Sequence, residues 1–73
     1  MFASLISKLW ASVLQDIASL RALKAPLVVV FQATVMANAI RTLLSNDTLE
    51  AYKHALECRH SVAELVKTYS SPE

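Results

Sequence analysis

The chain has 73 residues and a mass of 8.0 kDa, so it is expected to form a single domain, residues 1–73, with a small core. It contains no glycine, which excludes glycine-rich phosphate-binding loops and argues against most β topologies. Its 7 basic and 6 acidic residues form no basic run, so any contact with nucleic acid is expected to be indirect.

The first helix is predicted over about residues 2–24, because apolar residues recur there at spacings of three and four. Trp10 lies beside this apolar stripe and is predicted to be an interface anchor. Small residues such as Ala11 and Ala18 repeat every seven positions on another side of the helix. They fit either the close approach of a second helix or an ordinary surface. The stripe itself consists of Phe2, Leu5, Ile6, Leu9, Val13, Ile17 and Leu20.

The second helix is predicted over about residues 26–45. Pro26 disfavours helical geometry in the residue before it and is itself accepted in the first turn of a helix. No charged residue occurs between Lys24 and Arg41, and apolar side chains cover most of the circumference. The exception is a narrow polar stripe at helical spacing, formed by Thr34, Asn38, Arg41 and Ser45.

Such a helix needs more cover than a chain of this length supplies. We therefore expect a protein partner or a second copy of the chain to contact it, with Phe31 and Met36 among the binding residues. A membrane span is not expected, because the uncharged run is shorter than the roughly 20 residues that a bilayer requires. Gln32, Thr34 and Asn38 would also need hydrogen-bond partners in lipid. Attachment to a membrane surface is a further possible function. It predicts that the chain becomes helical only when lipid is present.

The third helix is predicted over about residues 48–69, after the break at residues 45–48. Asp47 can cap this helix, and Glu50 can reach back to the backbone of the capping residue. One side of the helix is apolar and the opposite side is charged or polar. Together the three helices predict an all-α antiparallel three-helix bundle, with the second helix in the middle.

No constellation of residues indicates catalysis, a metal site or a cofactor. His54 and Cys58 lie four residues apart on the third helix, but a closed zinc site needs four ligands and Cys58 is the only thiol. A cysteine–histidine nucleophile pair would also need an orienting group and an oxyanion site. We therefore expect a protein that is not an enzyme. A single cysteine fits a reducing, cytoplasmic compartment.

Residues 43–52, Leu-Leu-Ser-Asn-Asp-Thr-Leu-Glu-Ala-Tyr, resemble the start of the third helix in the coronavirus non-structural protein seven family, a small helical replicase cofactor. Residues 12–15, Ser-Val-Leu-Gln, followed by Leu20 and Arg21, are similar to the end of that family's first helix. The resemblance implies a non-catalytic subunit in the host cytoplasm. That subunit would pack against a second helical cofactor and a viral RNA-dependent RNA polymerase, with Leu43 and Leu44 facing the partner.

A second resemblance gives an alternative. Residues 48–57 are similar to the second helix of a tetratricopeptide repeat, although the rest of the repeat is absent. This resemblance implies a generic self-assembling or adaptor helical module. Both readings share the expectation of a protein-interaction subunit, and they differ in the identity of the partner.

Overall fold

Three α-helices and a short 3-10 helix make up residues 1–71, the part of the chain that the computed structural model describes. Helix α1 spans Phe2–Ala22, α2 spans Leu27–Thr42, the 3-10 helix spans Leu43–Ser45 and α3 spans Leu49–Ser70. Each helix contacts both of the others. Consecutive helices run antiparallel, so that Asp47, which follows the end of α2, reaches the first residues of α1. The bundle measures 40 × 18 × 14 Å. The predicted all-α antiparallel three-helix bundle is therefore confirmed.

The core is apolar throughout, and no charged or polar side chain is buried in residues 1–71. Helix α1 supplies its largest share of volume, because Ile6, Val13, Ile17 and Leu20 of the predicted stripe are all buried. Helix α3 buries two alanines and Val62, and helix α2 buries two alanines, two valines and Ile40. Alanines at these positions allow helix backbones to approach closely, at the cost of less apolar area per contact. The small buried residues are Ala33 and Ala37 of α2 and Ala51 and Ala55 of α3.

The predicted central position of the second helix is wrong. The most extensive contact in the bundle joins α1 to α3, and the least extensive joins α2 to α3. Helices α1 and α3 are the longer ones, at 21 and 22 residues against 16 for α2, so they have more length over which to pack. Helix α1 also supplies Ile6 and Leu20, two of the three largest fully buried side chains. Helix α2 therefore gives the fold only one face, and the remainder of its surface is uncovered.

The turn after α1 explains why this helix ends before the predicted residue 24. Lys24 has a φ of 59°, the left-handed conformation for which glycine is normally used. The Lys24 amide donates to the Arg21 carbonyl and the Ala25 amide donates to the Leu20 carbonyl, both at 3.0 Å. These two bonds are the Schellman motif that closes many helices. Pro26 follows as the N-cap, and α2 begins at Leu27.

Substitution of Lys24 by glycine is expected to stabilise the protein by about 0.5 to 1 kcal/mol, because a Cβ atom is strained in the left-handed region. Urea denaturation followed by circular dichroism measures the change. Lys24→Ala is the matched control, since it also removes the charge but keeps the Cβ atom. Equal stabilisation by both substitutions would show that the lysine charge, and not backbone strain, sets the effect.

The capping of α3 differs from the prediction. The N-cap is Thr48, whose hydroxyl accepts from the Ala51 amide at 3.1 Å. Asp47 instead caps α1 from across the bundle. Its carboxylate accepts from the amides of Phe2 at 2.6 Å and Ala3 at 3.1 Å. The Phe2 ring also lies 5.9 Å from the Tyr52 ring, so two contacts hold the start of α1 against the start of α3.

Asp47 makes stability depend on pH. The Met1 ammonium, at 3.0 Å, and then the Ala3 and Phe2 amides lower the pKa of the Asp47 carboxyl from its ordinary value of 3.8, although desolvation opposes them. The folded state therefore binds this proton less readily than the unfolded state. The contribution of the carboxylate is complete above pH 3.8 and is lost as the pH falls through the lowered folded-state pKa.

We expect Asp47→Asn to lower the Tm at neutral pH and to reduce the loss of Tm on acidification, because the amide has no charge to lose. Thermal melts at a series of pH values between neutral and about pH 3 measure both effects. Asp16→Asn is the control, since the Asp16 side chain forms no hydrogen bond or ion pair within residues 1–71. A pH profile unchanged by Asp47→Asn would contradict the assigned role.

No other helix within residues 1–71 packs against the small residues that repeat along α1. Ser4, Ala11 and Ala18 are exposed, and only Ala25, beyond the end of the helix, packs against the core. Within the bundle, the small residues that repeat every seven positions therefore form ordinary exposed surface and not a site of close helix–helix approach.

Candidate partner-binding surface

The outer side of α2 carries four large apolar side chains that the bundle does not cover. We call Leu27, Val28, Phe31 and Val35 the α2 patch. Their exposed fractions are 86%, 62%, 66% and 47%, respectively. Leu27, Phe31 and Val35 are four residues apart and therefore follow one another along the same side of the helix, with Val28 next to Leu27. Single exposed apolar residues are ordinary on protein surfaces, whereas large contiguous groups are typical of surfaces that contact a protein, a membrane or a ligand.

The sequence of α2 is poorly suited to an isolated helix. Seven of its 16 residues are β-branched, and such side chains lose χ1 freedom in a helix. No side chain caps its N-terminus, where the Val29 and Val30 amides donate to the Pro26 carbonyl instead. Packing against the bundle must therefore hold this helix, and it does so through the opposite face. That face consists of Val29, Val30, Ala33, Ala37 and Ile40.

The C-terminal half of the same outer side is polar. Asn38, Arg41, Thr42 and Ser45 line a shallow surface recess, which we call the α2 recess. Two of its hydroxyl groups make local bonds, since Thr42 donates to the Asn38 carbonyl and Ser45 donates to the Thr42 carbonyl. Arg41 forms no ion pair within residues 1–71. The predicted polar stripe is thus exposed at three of its four positions, and Thr34 is half-buried with its hydroxyl bonded to the Val30 carbonyl.

The predicted partner-binding residues lie in different surroundings. Phe31 is part of the α2 patch. Trp10, Met36, Leu43 and Leu44 are half-buried and pack against the core, so each serves the fold with part of its surface. The structure does not bring these four together with Phe31 into one exposed group. Their role in binding stays a prediction.

Sequence reasoning missed three members of the α2 patch: Leu27, Val28 and Val35. The four-residue spacing from Leu27 to Phe31 to Val35 was a usable signal. It was hidden because apolar residues cover nearly the whole helix, so periodicity alone does not distinguish the buried face from the outer face.

Residues that could carry chemistry are scattered. No group of three or more metal-ligand side chains occurs within residues 1–71. Cys58 is half-buried, and burial, together with the neighbouring Glu57 carboxylate, raises the pKa of its thiol. A raised pKa reduces the thiolate fraction that a nucleophile or a metal ligand requires. His54 approaches Glu57 at 3.7 Å and His60 approaches Glu64 at 3.9 Å, both on the exposed face of α3. Exposed pairs of this kind contribute little to stability.

One helical segment in the described part of the chain, Leu27–Ser45, is long and apolar enough to cross a membrane by length and composition. Core helices of soluble proteins and signal sequences near an N-terminus satisfy the same criterion, so it does not by itself indicate a membrane span. In the bundle, 28% of this segment is buried. Comparisons with models of protein families, with curated proteins and with solved structures found no match to this chain. The exposed apolar surface of α2 is the feature of residues 1–71 that points most clearly to a function.

Proposed function

We propose that this protein is a non-catalytic interaction subunit that binds a protein partner through the α2 patch. The observation that carries the proposal is the exposure of Leu27, Val28, Phe31 and Val35 on a bundle whose core is complete without them. Exposed area of this kind is a cost in water, and contact with an apolar partner surface removes it.

The energy available is large for so small a domain. Full burial of one leucine, valine or phenylalanine is worth about 1.5 to 3 kcal/mol. The four side chains are already partly covered and association has its own free-energy cost, so part of their sum is realised as affinity. Phe31 is the expected centre of the contact, because large aromatic side chains supply most binding energy at interfaces. Assembly and stability are then linked, since a partner that binds only the folded chain raises its apparent stability.

Affinity capture with matched variants tests this proposal. The wild-type chain and the double variant Val28→Ser/Phe31→Ser are used as bait in the native host, and proteins retained only by the wild type are purified and mixed with it again. We expect at least one such protein to bind the wild type directly and not the double variant. Leu14→Ser is the control, because Leu14 is 44% exposed on α1, outside the patch.

Two results would count against the proposal. One is a directly binding partner that the double variant retains as well as the wild type does. The other is the loss of that partner on Leu14→Ser alone, which would move the contact to α1. Circular dichroism of each bait is needed beside the binding data, so that loss of folding is not mistaken for loss of a contact.

The more specific role, an accessory cofactor of a viral RNA-dependent RNA polymerase, is a proposal supported by the resemblance of residues 43–52. It predicts a polymerase and a second helical cofactor among the captured partners, and a rise in polymerase processivity when the chain is added. A copurified polymerase with unchanged processivity would reject it. A partner unrelated to replication would favour the alternative, a generic self-assembling or adaptor module with tetratricopeptide-like local sequence.

A further inference from the structure

The charge distribution around the α2 patch points to the chemistry of its partner. Between Asp16 and Asp47 the chain contains no acidic residue at all, and this stretch includes the whole of α2 and both of its ends. Three cations lie within it. Arg21 and Lys24 are exposed beside the start of α2, and Arg41 is exposed near its end, in the α2 recess. None of the three forms an ion pair within residues 1–71.

These cations bracket the patch along the helix axis. Lys24 lies in the turn just before α2, and Arg41 lies about 21 Å along the helix from Leu27. The Asp47 carboxylate, the next acid along the chain, is occupied by the start of α1. The outer side of α2 is therefore apolar in its first half, polar in its second half and positive at both ends. A complementary surface is apolar opposite the α2 patch and negative on either side of it.

A second copy of the chain does not offer that surface. If two α2 helices packed against each other in the antiparallel sense, Lys24 of one copy would meet Arg41 of the other, and parallel packing would place like residues together. The carboxylates of a second copy lie mostly on α3, where Lys53 and Lys67 alternate with them. Like charges in close register disfavour the pairing of α2 with itself.

A membrane surface is a poorer fit than a protein. Helices that lie on anionic bilayers carry many Lys and Arg residues around their apolar face. Here the outer side of α2 has one cation within the helix, and Gln32, Asn38 and Thr42 are exposed along it. Polar groups at these positions suit hydrogen bonding across a protein interface, whose composition is mixed.

We propose that the segment seated on the α2 patch is an amphipathic helix of a different protein, with carboxylates near both ends of its apolar face. This inference rests on the proposed function and adds the chemistry of the partner. Apolar side chains of the partner cover Phe31 and its neighbours, and its carboxylates pair with Arg41 at one end and with Arg21 and Lys24 at the other. Because both ends of α2 are positive, the charges do not determine whether the partner helix binds parallel or antiparallel to α2.

Synthetic peptides of about 18 residues, long enough to span α2, test the proposal on the full chain. All have a leucine stripe at spacings of three and four residues. One has glutamates at both ends, one has lysines there, and a third has the glutamates but serine in place of leucine. Fluorescence anisotropy of each labelled peptide gives its Kd. We expect the glutamate-ended peptide to bind about tenfold tighter than the lysine-ended one, with the difference shrinking as salt is added.

Charge-reversal variants make the test specific. Lys24→Glu/Arg41→Glu is expected to reverse the preference between the two leucine peptides. Lys53→Glu/Lys67→Glu is the matched control on α3, which changes the net charge by the same amount and is expected to leave the preference as it is. The serine peptide is expected not to bind.

The possible failures are distinguishable. Equal binding of the glutamate and lysine peptides overturns the inference that the partner is acidic at both ends. If Phe31→Ser abolishes that equal binding, the α2 patch is still the binding site and the proposed function stands. Failure of all three peptides overturns the inference. In that case, the α2 patch binds a second copy of the chain if the wild type sediments as a dimer and the Phe31→Ser variant sediments as a monomer. Recruitment of the chain to phosphatidylglycerol vesicles, with no peptide bound, assigns it to a membrane.

Discussion

Substitution of Leu20 by alanine is expected to lower the free energy of unfolding by about 2 to 5 kcal/mol. Leu20 is fully buried at the C-terminal end of α1, the helix around which the other two pack. Loss of its side chain removes apolar burial and leaves a cavity that neighbouring helices fill only in part. A domain of this size has a total stability of roughly 4 to 11 kcal/mol, so this single change consumes much of it.

Leu14 supplies the control for this prediction. It lies on the same helix and has the same side chain, but it is 44% exposed. We expect Leu14→Ala to cost less than about 1 kcal/mol, because half-exposed sites lose little transfer energy and leave no cavity. Urea denaturation of both variants provides the comparison. Similar losses at the two positions would contradict the arrangement of α1 as the helix that carries the core.

The substitution Phe31→Ser is expected to have the opposite profile, with a large effect on binding and a small one on folding. A central aromatic residue at an interface typically contributes 2 kcal/mol or more, so binding to a captured partner should weaken by about 30-fold or more. Phe31 is 66% exposed in the free chain, which leaves little packing for the fold to lose. Titration of the purified partner, with folding followed by circular dichroism, measures both effects.

Leu14→Ser controls for a general loss of surface hydrophobicity in this experiment. It removes an exposed apolar side chain from α1, and we expect partner affinity to change by less than about threefold. Equal weakening by the two variants would indicate nonspecific hydrophobic contact. It would therefore argue against a defined site at the α2 patch.

Local patterns predicted the helices well. The apolar stripe of α1 and the break at Pro26 depend on residues a few positions apart, and both are present in the structure. The helix ends differ from the prediction by up to three residues, the largest difference being at the end of α2, which is Thr42 and not residue 45. A glycine-free chain gives no signal for the left-handed residue that ends α1, and the structure uses Lys24 there.

Long-range features were not predictable in the same way. Asp47 has the sequence environment of a cap for α3, but its carboxylate bonds to Phe2 and Ala3, more than 40 residues earlier in the chain. Thr48, the adjacent residue, takes the local role. Two neighbouring residues that can both cap a helix leave the choice to tertiary contacts, which a single sequence does not reveal.

The candidate site also has one feature that the sequence predicts and one that depends on tertiary packing. An excess of apolar surface on the second helix could be inferred from composition, and it led to the expectation of a partner. Which apolar residues remain uncovered depends on how the helices rotate against each other. That rotation is set by the volume of the buried side chains, here mostly alanine and valine on α2 and α3. Only Phe31 of the α2 patch was therefore among the predicted binding residues.

The free energy of unfolding of the purified Phe31→Ser variant, measured by urea denaturation without any partner, tests most directly whether the α2 patch serves binding and not the fold. We expect the stability of the variant to lie within about 0.5 kcal/mol of the wild type, with the same helical content. A loss of about 2 kcal/mol or more would show that Phe31 belongs to the core of the free chain, and the α2 patch would then not be an uncovered surface.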